Sequence, residues 1–425
     1  MKFIDKIPIP SFLKVLGKKE FWAFFGTGLI VSVAYMDPGN WGTSISGGAE
    51  FNYDLLWIVW LSSIMAMLFQ YISGKIGIAG HSVAGLVHGR WKSKTMVFLY
   101  WLLAEISILA TDLAEFLGIV VALNLLFGIP MLEGTFLAIA DVLLLLLLTR
   151  KNFRALEYAF ILFVSVIGIG YLYELFITSP DLGLIATHSI TPILNSQTIL
   201  IAVGIIGATV MPHALFVHSW LLKNKMKENE KSISKKEALT FHTVDNVLSL
   251  FVAGLINASI LIMAAAAFYN SGFVVASIDE AYRTLTPLFG SLASTVFALA
   301  LLSAGISSSI TGTLAGQSIM ESLTDFKLSP TARRLITRGI NVIPLLIAIL
   351  LGIEPLAILV YSQVALSMLI PLPLIPLIYY SSKKEIMGEL TNKKITTAVS
   401  SIFAIVILAF NAYLLYSVFV LGQAI

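Results

Sequence analysis

The amino-acid sequence predicts an all-α integral membrane protein, and three observations support this fold class. Of the 425 residues, 58% are hydrophobic and 12% are charged, whereas a soluble domain carries about a quarter charged residues. The mean hydropathy is +0.91, and a single soluble core stops growing at about 250–300 residues. Long apolar runs recur along the whole chain. These observations exclude an aqueous globular enzyme, a disordered chain and a nucleic-acid-binding protein.

Apolar stretches of about 20 residues, which cross about 30 Å of hydrocarbon as helix, predict eleven spans. They lie near 21–46, 53–78, 95–127, 130–149, 155–178, 197–222, 239–270, 287–322, 334–352, 354–380 and 396–422. A β-barrel would show alternating segments, but runs such as 142–148 are continuously apolar. We therefore expect a single transmembrane domain over 1–425. The polar segment 223–237 is expected to be a solvated loop between two halves.

The basic residues predict the orientation, because Lys and Arg are retained on the cytoplasmic side of a membrane. Lysines are frequent before the first span, so the N-terminus is expected to be cytoplasmic. With eleven alternating spans, all 27 Lys and Arg except Arg283 fall on that side, and the C-terminus is extracytoplasmic. We read these residues as topology signals and little else. No cleavable signal pattern precedes the first span, and a prokaryotic plasma membrane is the simplest location.

Two predicted spans contain a proline flanked by polar groups in mid-membrane. The first has Asp-Pro-Gly-Asn at 37–40, and the sixth has Met-Pro-His at 211–213. Proline removes a backbone donor and disfavours α geometry in the residue before it, so the helices are expected to unwind at Asp37 and Met211. The alternative at either position alone is a proline kink without function.

The matched positions of the two breaks indicate an internal repeat. The chain divides into five-span units over 21–178 and 197–380 and a final helix over 396–422. Because five is odd, the second unit begins on the opposite side of the membrane and is inverted. Inverted repeats with discontinuous helices are typical of secondary transporters, whose site lies near the bilayer midplane.

The side chains at the breaks predict a cation site. Asp37 is costly in hydrocarbon unless it is paired, protonated or bound to a cation. Asn40 adds an amide oxygen, and unwound backbone near Ala208 offers a carbonyl. A carboxylate, an amide and the Met211 thioether together favour Mn²⁺, Fe²⁺, Co²⁺ or Cd²⁺ over Mg²⁺ and Ca²⁺. For Met211 alone, the alternative is a core-filling methionine.

Acidic residues in the third span suggest a proton path. Glu105, Asp112 and Glu115 follow at steps of seven and three, which places them on one stripe facing the bundle interior. Acid chains in membranes are typical of proton relays, and structural pairing with arginine is the alternative. His213, beside the second break, is a candidate proton acceptor. His218 points about 140° away from it and is expected to be a hydrogen-bonded interior residue.

Other polar residues within the spans receive a structural interpretation. Asp245, Asn246, Asn257 and Gln363 are expected to form hydrogen bonds between helices. The small residues of 303–313 are expected to permit close helix packing. The chain has no cysteine, so disulfides and thiolate metal sites are excluded.

Together these motifs resemble the Nramp family of proton-coupled divalent-metal transporters along nearly the whole chain, with support from 104–115, 260–265 and 362–364. The resemblance implies a leucine-transporter-like fold with discontinuous helices 1 and 6. It also implies metal ligation by Asp37, Asn40, Met211 and the Ala208 carbonyl, with Gln363 joining in some states. The positions that it assigns to proton movement and gating are Glu105, Asp112, Glu115 and His213.

The chain departs from the family pattern at Ser44 and Ser82, where many members carry acids, and at Ala214, where many carry asparagine. The first two departures bear on gating and on the strength of proton coupling. Retention of Met211 argues against the magnesium- and aluminium-carrying relatives.

We therefore expect a proton-coupled importer of Mn²⁺, with Fe²⁺ also admitted, that works by alternating access. Its partners are a divalent metal ion, protons and the lipid bilayer. We expect no enzyme activity, cofactor or nucleic acid; the sequence does not determine the oligomeric state, and a monomer is compatible with it. The alternative is an amino-acid or other small-solute cation symporter on the same scaffold, although Asp37 would repel a substrate carboxylate. A passive channel would need a continuous filter.

Overall fold

The computed structural model describes residues 15–141, 153–229, 232–269, 277–324 and 328–421, and these residues form helices and connections without any strand. The helices are α1 (Lys19–Phe24), α2 (Thr27–Ala34), α3 (Pro38–Phe51), α4 (Leu56–Ala79), α5 (Val83–Arg90), α6 (Lys94–Phe127), α7 (Met131–Ala138), α8 (Phe153–Thr178), α9 (Leu182–Ile190), α10 (Ile199–Thr209), α11 (Pro212–Glu228), α12 (Lys235–Ala264), α13 (Ile278–Phe289), α14 (Ser291–Leu323), α15 (Pro330–Leu350), α16 (Pro355–Leu369), α17 (Pro371–Ser381), α18 (Lys384–Met387) and α19 (Lys394–Phe419). A π-helical turn, Ala265–Tyr269, extends α12, and a 3₁₀ turn, Gly388–Leu390, follows α18.

The all-helical prediction is confirmed, and eight stretches of the described chain are long and apolar enough to cross a membrane. The first predicted span, 21–46, is not among them because its break leaves two short helices, α2 and α3. The predicted span 334–352 corresponds to α15, which contains three arginines. The fourth predicted span, 130–149, extends beyond α7 into 142–152, which lies outside the described residues. The count of eleven stays a prediction.

The segment 223–237, predicted to be a solvated loop between two halves, is largely solvent-exposed, but most of it is helical. Helix α11 continues to Glu228, and α12 begins at Lys235. The Lys225 Nζ donates to the Phe25 carbonyl over 2.8 Å. At the start of α12, Ser234 and Glu237 form a capping box. Lysine and glutamate are good helix formers, so the polar sequence extends the two helices and does not interrupt them.

The second broken helix lies at the centre of the bundle. Of the most apolar 18 residues in α10 and α11, 94% are buried, compared with 22% in α19 and 28% in α8. In the first broken helix, every residue of α2 is buried. Large apolar side chains of the peripheral helices are instead exposed, including Phe176 at 84% and Phe419 at 80%. Such contiguous apolar exposure indicates surfaces that face lipid.

Small residues allow α14 to pack closely along α6, as the sequence predicted. A Cβ atom on Gly305 would come within 2.8 Å of the Ile119 Cγ1, and one on Gly312 would come within 2.9 Å of the Glu115 Oε2. Glycine at these positions therefore permits the backbone approach. This contact brings the acidic stripe of α6 against α14.

Asp245 of α12 fixes the start of the first broken helix. Its Oδ2 accepts hydrogen bonds from the backbone N–H of Gly26 over 3.2 Å and of Gly28 over 2.8 Å, and from the Thr27 hydroxyl over 3.3 Å. A carboxylate at a helix N-terminus satisfies free N–H groups and interacts favourably with the helix dipole. The structural interpretation of Asp245 is therefore supported by its contacts.

Replacing Asp245 with alanine should lower the free energy of unfolding by about 2–6 kcal/mol, because the buried N–H groups of Gly26 and Gly28 would lose their acceptor and each such loss costs about 1–3 kcal/mol. A lower thermal unfolding midpoint of the detergent-solubilised protein would show this loss. Asp181→Ala is the matched control, because Asp181 caps α9 by accepting from Gly183 and Leu184, and α9 has no buried residue. An equal destabilisation by both variants would contradict the anchoring role.

Candidate metal centre

The first break places a carboxylate at the start of a helix. Helix α2 ends at Ala34, Tyr35 and Met36 form a turn, and α3 begins at Pro38. Asp37 is the N-cap residue in extended geometry (φ −69°, ψ 165°), and its Oδ1 accepts from the Asn40 backbone N–H over 2.8 Å. Proline is well suited to the first helical position because its missing N–H would have no partner there. The unwinding predicted at Asp37 is observed.

The second break repeats this geometry with a thioether in place of the carboxylate. Helix α10 ends at Thr209, Met211 is the N-cap residue (φ −41°, ψ 124°), and Pro212 opens α11. The Met211 side chain is fully buried. Each break thus presents the carbonyl end of one half-helix and the N-terminus of the next.

Asn40 joins the two breaks. Its Nδ2 donates to the Asp37 Oδ1 and to the Ala208 carbonyl, both over 2.8 Å. Its Oδ1 accepts from the Asn257 Nδ2 over 3.1 Å, and Asn257 also donates to the Tyr35 carbonyl over 2.8 Å. Asn257 of α12 therefore hydrogen-bonds both to the backbone of the first break and to Asn40, whose side chain contacts the second break.

Gln363 of α16 closes the centre from a third side. A Cβ atom on Gly39 would overlap the Gln363 side-chain amide and lie 2.9 Å from the Asp37 Oδ2. A Cβ atom on Gly207 would overlap the Gln363 backbone oxygen. Glycines at 39 and 207 therefore make room for Gln363 at both breaks, which the sequence did not reveal.

Two oxygen atoms of this centre are buried without a hydrogen-bond partner among the described residues, the Asp37 Oδ2 and the Gln363 Oε1. Buried acceptors of this kind are rare, because the loss of hydration is uncompensated. A cation would satisfy both. A half-turn of the Asn40 amide would bring its oxygen towards Asp37 and Ala208 with no change of shape.

The predicted ligand set is thus largely assembled. Asp37, Asn40, the Ala208 carbonyl and Gln363 are connected by the contacts above, and Met211 lies at the second break. The set carries one carboxylate, and no group of three His, Cys, Asp or Glu able to hold a metal occurs in the described part of the chain. One charge with neutral oxygen and sulfur donors suits an ion that must be bound and then released.

The acidic stripe of α6 is divided between paired and unpaired groups. Glu105 pairs with Arg333 over 2.5 Å. Asp112 pairs with Arg334 and with Arg338, the latter over 3.3 Å. For these two acids the structure shows the arginine pairing that was the alternative to a proton relay.

Asp141 is a site residue that the sequence analysis missed. It pairs with Arg334 over 2.8 Å and with Arg338, and it accepts from the Ser309 hydroxyl over 3.1 Å. Asp112, Asp141, Arg334 and Arg338 therefore form a buried network of balanced charge, as buried ions require. The sequence contained a signal for this pairing. Charged residues inside the predicted spans 130–149 and 334–352 need partners of opposite charge.

The arginine network corrects the interpretation of the basic residues as topology signals alone. Arg333, Arg334 and Arg338 are buried, at 7%, 2% and 0% exposure. They occupy the first turns of α15, on the face that packs against α6 and α7. The interpretation failed because the positive-inside rule uses only the position of Lys and Arg along the chain. It does not indicate whether a basic side chain on a helix points into the bundle.

Glu115 differs from the other acids of the stripe. It is fully buried, and neither carboxylate oxygen has a hydrogen-bond partner among the described residues. Its carboxylate lies against Gly312. One turn further along α6, a Cβ atom on Gly118 would overlap the Pro38 ring, so this part of α6 packs directly on the first break. A buried carboxylate without a partner is costly when charged and is a candidate for carrying a proton.

The two histidines of α11 point to different neighbours, as their spacing predicted. The His213 Nδ1 lies 3.0 Å from the Thr111 Oγ1 of α6, next to Asp112. The His218 Nδ1 lies 2.9 Å from the Gln70 Oε1 of α4, and Gln70 donates to the Tyr35 hydroxyl over 2.8 Å. His213 therefore connects the second break with the acidic stripe, while His218 is hydrogen-bonded in the interior.

The three departures from the family pattern occupy ordinary positions. Ser44 and Ala214 are buried. Ser82 caps α5, with its hydroxyl accepting from the Gly85 N–H over 3.2 Å. None of the three makes a hydrogen bond to the metal centre described above.

An all-helical bundle with lipid-facing sides and two broken helices around a buried donor set defines a multi-pass membrane transporter. The family model "Natural resistance-associated macrophage protein-like", Nramp, matches residues 28–417. The chain belongs to the Nramp family.

Relatives of similar length support this assignment. The chain is 43% identical over 422 residues to the divalent metal cation transporter MntH of Listeria welshimeri, covering 97% of this chain and 93% of the relative. It is 39% identical over 402 residues to MntH of Deinococcus radiodurans, covering 94% and 91%.

Solved structures show the same fold. A manganese transporter of Eremococcus coleocola has a TM-score of 0.84 at 32% identity, covering 98% of this chain and 91% of that one. MHP1, a nucleobase-cation-symport-1 family transporter, has a TM-score of 0.58 at 14% identity, covering 91% and 86%. The second likeness concerns the fold alone.

Proposed function

We propose that the chain imports divalent transition-metal ions, Mn²⁺ and also Fe²⁺, by proton-coupled alternating access. The observation that carries the proposal is the pair of buried oxygens without a hydrogen-bond partner among the described residues, the Asp37 Oδ2 and the Gln363 Oε1, next to Asn40 and the second break, where Met211 lies. The names of the relatives, a divalent metal cation transporter and a manganese transporter, support the same substrate class. The metal ion is cargo, and no resident cofactor is proposed.

A cation is favoured over an organic solute because of the position of Asp37. On this scaffold, half-helix N-termini hold the carboxylate of an organic substrate. Here the Asp37 carboxylate already accepts from the α3 backbone at Asn40. Sharing a fold with a nucleobase-cation symporter does not discriminate between the two, since one fold serves many substrates.

A transition metal is favoured by Met211. Mg²⁺ and Ca²⁺ prefer oxygen ligands throughout, whereas Mn²⁺, Fe²⁺ and Cd²⁺ accept a thioether better. The donor chemistry admits both Mn²⁺ and Fe²⁺. The choice of Mn²⁺ as the first substrate rests on the manganese transporter among the similar structures.

The transport cycle that we propose uses two inverted five-helix repeats, with the N-terminus cytoplasmic and the C-terminus outside the plasma membrane. Support comes from the matched geometry of the two breaks, each with an N-cap residue followed by proline. An inside-negative potential contributes about 2.3 kcal/mol per charge per 100 mV to cation import. Glu115 and His213, which connect the metal centre with α6, are the groups proposed to move protons.

The test is radiolabelled Mn²⁺ uptake into proteoliposomes that contain a trapped pH-sensitive dye. We expect saturable uptake that accelerates as the exterior is acidified and that acidifies the lumen, with protein-free vesicles as the control. Absence of metal uptake, or transport of an organic solute in its place, would overturn the proposal. Metal uptake without luminal acidification would remove the proton-coupled part alone.

For Glu115→Gln we expect Mn²⁺ uptake to lose its dependence on external pH, because the amide cannot exchange a proton at this position. The shape of the side chain is kept, so metal binding should change less than about threefold. Glu133→Gln serves as control, since Glu133 lies in the first turn of the short helix α7 and contacts none of the site residues. Retention of the wild-type pH profile in Glu115→Gln would exclude Glu115 as a proton carrier.

A further inference from the structure

A second site lies at the edge of the bundle, away from the metal centre. A cavity of about 500 Å³ opens between α5, the first turns of α6 and the end of α14. Three of its lining side chains are basic or can become so, His88, Lys92 and Lys94. No acidic side chain is among the described residues that line it. The cavity therefore has the electrostatic character of an anion site.

The two lysines are not paired with an acidic side chain in the described part of the chain. Both are exposed, and neither forms an ion pair within the described residues, whereas the nearby Arg90 pairs with Glu385 over 3.8 Å. His88 is held against the end of α14, with its Nδ1 2.9 Å from the Ser322 carbonyl. The positive charges are thus available to a ligand.

The surface next to the cavity is apolar and faces lipid. Phe98 lines the cavity and is 56% exposed, and Leu102 and Leu103, one turn further along α6, are each 42% exposed. Trp91, 39% exposed, lies at the rim. Exposed tryptophans typically mark the headgroup level of a bilayer. Lysines above this level and an apolar helix face below it match the two ends of a phospholipid.

We infer that this cavity binds the headgroup of an anionic phospholipid, such as phosphatidylglycerol. The phosphate lies between Lys92 and Lys94, and an acyl chain lies along the exposed face of α6. Basic pockets between membrane helices bind anionic headgroups by this chemistry. A bound lipid would bridge α6, which carries the acidic stripe, and the end of α14.

Native mass spectrometry of the full-length protein in detergent tests the inference, with phosphatidylglycerol and phosphatidylcholine added at equal concentration. We expect the wild type to retain one phosphatidylglycerol about 25-fold more strongly than phosphatidylcholine, since each of the two lysines near an anionic headgroup contributes about fivefold. Lys92→Gln/Lys94→Gln should remove this preference, lowering phosphatidylglycerol retention about 25-fold.

Lys393→Gln/Lys394→Gln is the matched control, because it removes the same charge from two exposed lysines at the start of α19. Equal loss of phosphatidylglycerol from both double variants would overturn the inference, because the effect would then follow overall charge. Equal retention of phosphatidylcholine by the wild type would also overturn it. Displacement of the lipid by millimolar glycerol phosphate would assign the cavity to a free anion. The readout is binding alone and does not depend on the proposed transport function.

Discussion

Asp37→Asn should lower Mn²⁺ uptake at least about 100-fold, the equivalent of about 2.7 kcal/mol of lost binding. Asp37 is the only carboxylate among the proposed metal donors, and its Oδ2 is buried without a hydrogen-bond partner among the described residues. Asparagine keeps the size of the side chain and caps helices as well as aspartate does, so α3 should still begin at Pro38. The loss is therefore expected in metal binding and transport, with the unfolding midpoint little changed. Radiolabelled Mn²⁺ uptake and calorimetric Mn²⁺ titration of the purified protein measure the two effects.

The matched control for this variant is Asp279→Asn. Asp279 pairs with Arg283 over 2.7 Å at an exposed position on α13, and an exposed ion pair contributes little to stability. Its uptake should equal that of the wild type. Mn²⁺ uptake by Asp37→Asn within threefold of the wild type would show that the metal is held elsewhere.

Met211→Leu should change which ions compete for the site. Leucine conserves the volume of methionine and is usually tolerated in a core, but it removes the sulfur. We expect Mn²⁺ uptake to fall several-fold and Ca²⁺ to become an effective competitor, so that the preference for Mn²⁺ over Ca²⁺ drops about tenfold, or about 1.4 kcal/mol. Inhibition of radiolabelled Mn²⁺ uptake by added Ca²⁺ and Mg²⁺ gives this ratio directly.

Met65→Leu provides the control, since Met65 is an equally buried methionine in α4. Its ion preference should stay at the wild-type value. If Met211→Leu also keeps the wild-type preference, the thioether is core packing and the selectivity must come from the oxygen donors alone.

The buried ion-pair network explains how α15 can bury its arginines against neighbouring helices while its other face is exposed. The charges of Arg334 and Arg338 are balanced by Asp112 and Asp141, and Asn341 donates to the Asp112 Oδ2 over 2.7 Å. Replacing any one of these residues by a neutral one is destabilising, because a buried charge then remains without a partner. Within it, α6 is locked to α15 one turn away from Glu115.

Much of the metal centre could be predicted from the sequence because its signals are local. Proline at 38 and 212 dictates unwinding at the residue before it, and this is where Asp37 and Met211 are found as N-cap residues. The length of apolar runs predicted helices whose observed ends differ by a few residues, as with 95–127 and Lys94–Phe127. Backbone chemistry and the lipid solvent decide these features without reference to distant residues.

The pairing of helices could not be predicted in the same way. The contacts between Asn40 and Ala208 and between Asn257 and Tyr35 join residues more than 150 positions apart. The division of the acidic stripe into paired Glu105 and Asp112 and unpaired Glu115 likewise depends on which arginines of α15 face α6.

The sequence by itself therefore determined a helical membrane protein with two broken helices and a set of candidate donors. The tertiary structure alone decided which donors meet, which acids are neutralised by arginine, and that Gln363 fits against the breaks at Gly39 and Gly207. The physical reason is the range of the interactions. Helix formation and its interruption follow from each residue's own backbone and from burial in lipid, while charge pairing and ligand geometry depend on long-range packing that no local pattern records.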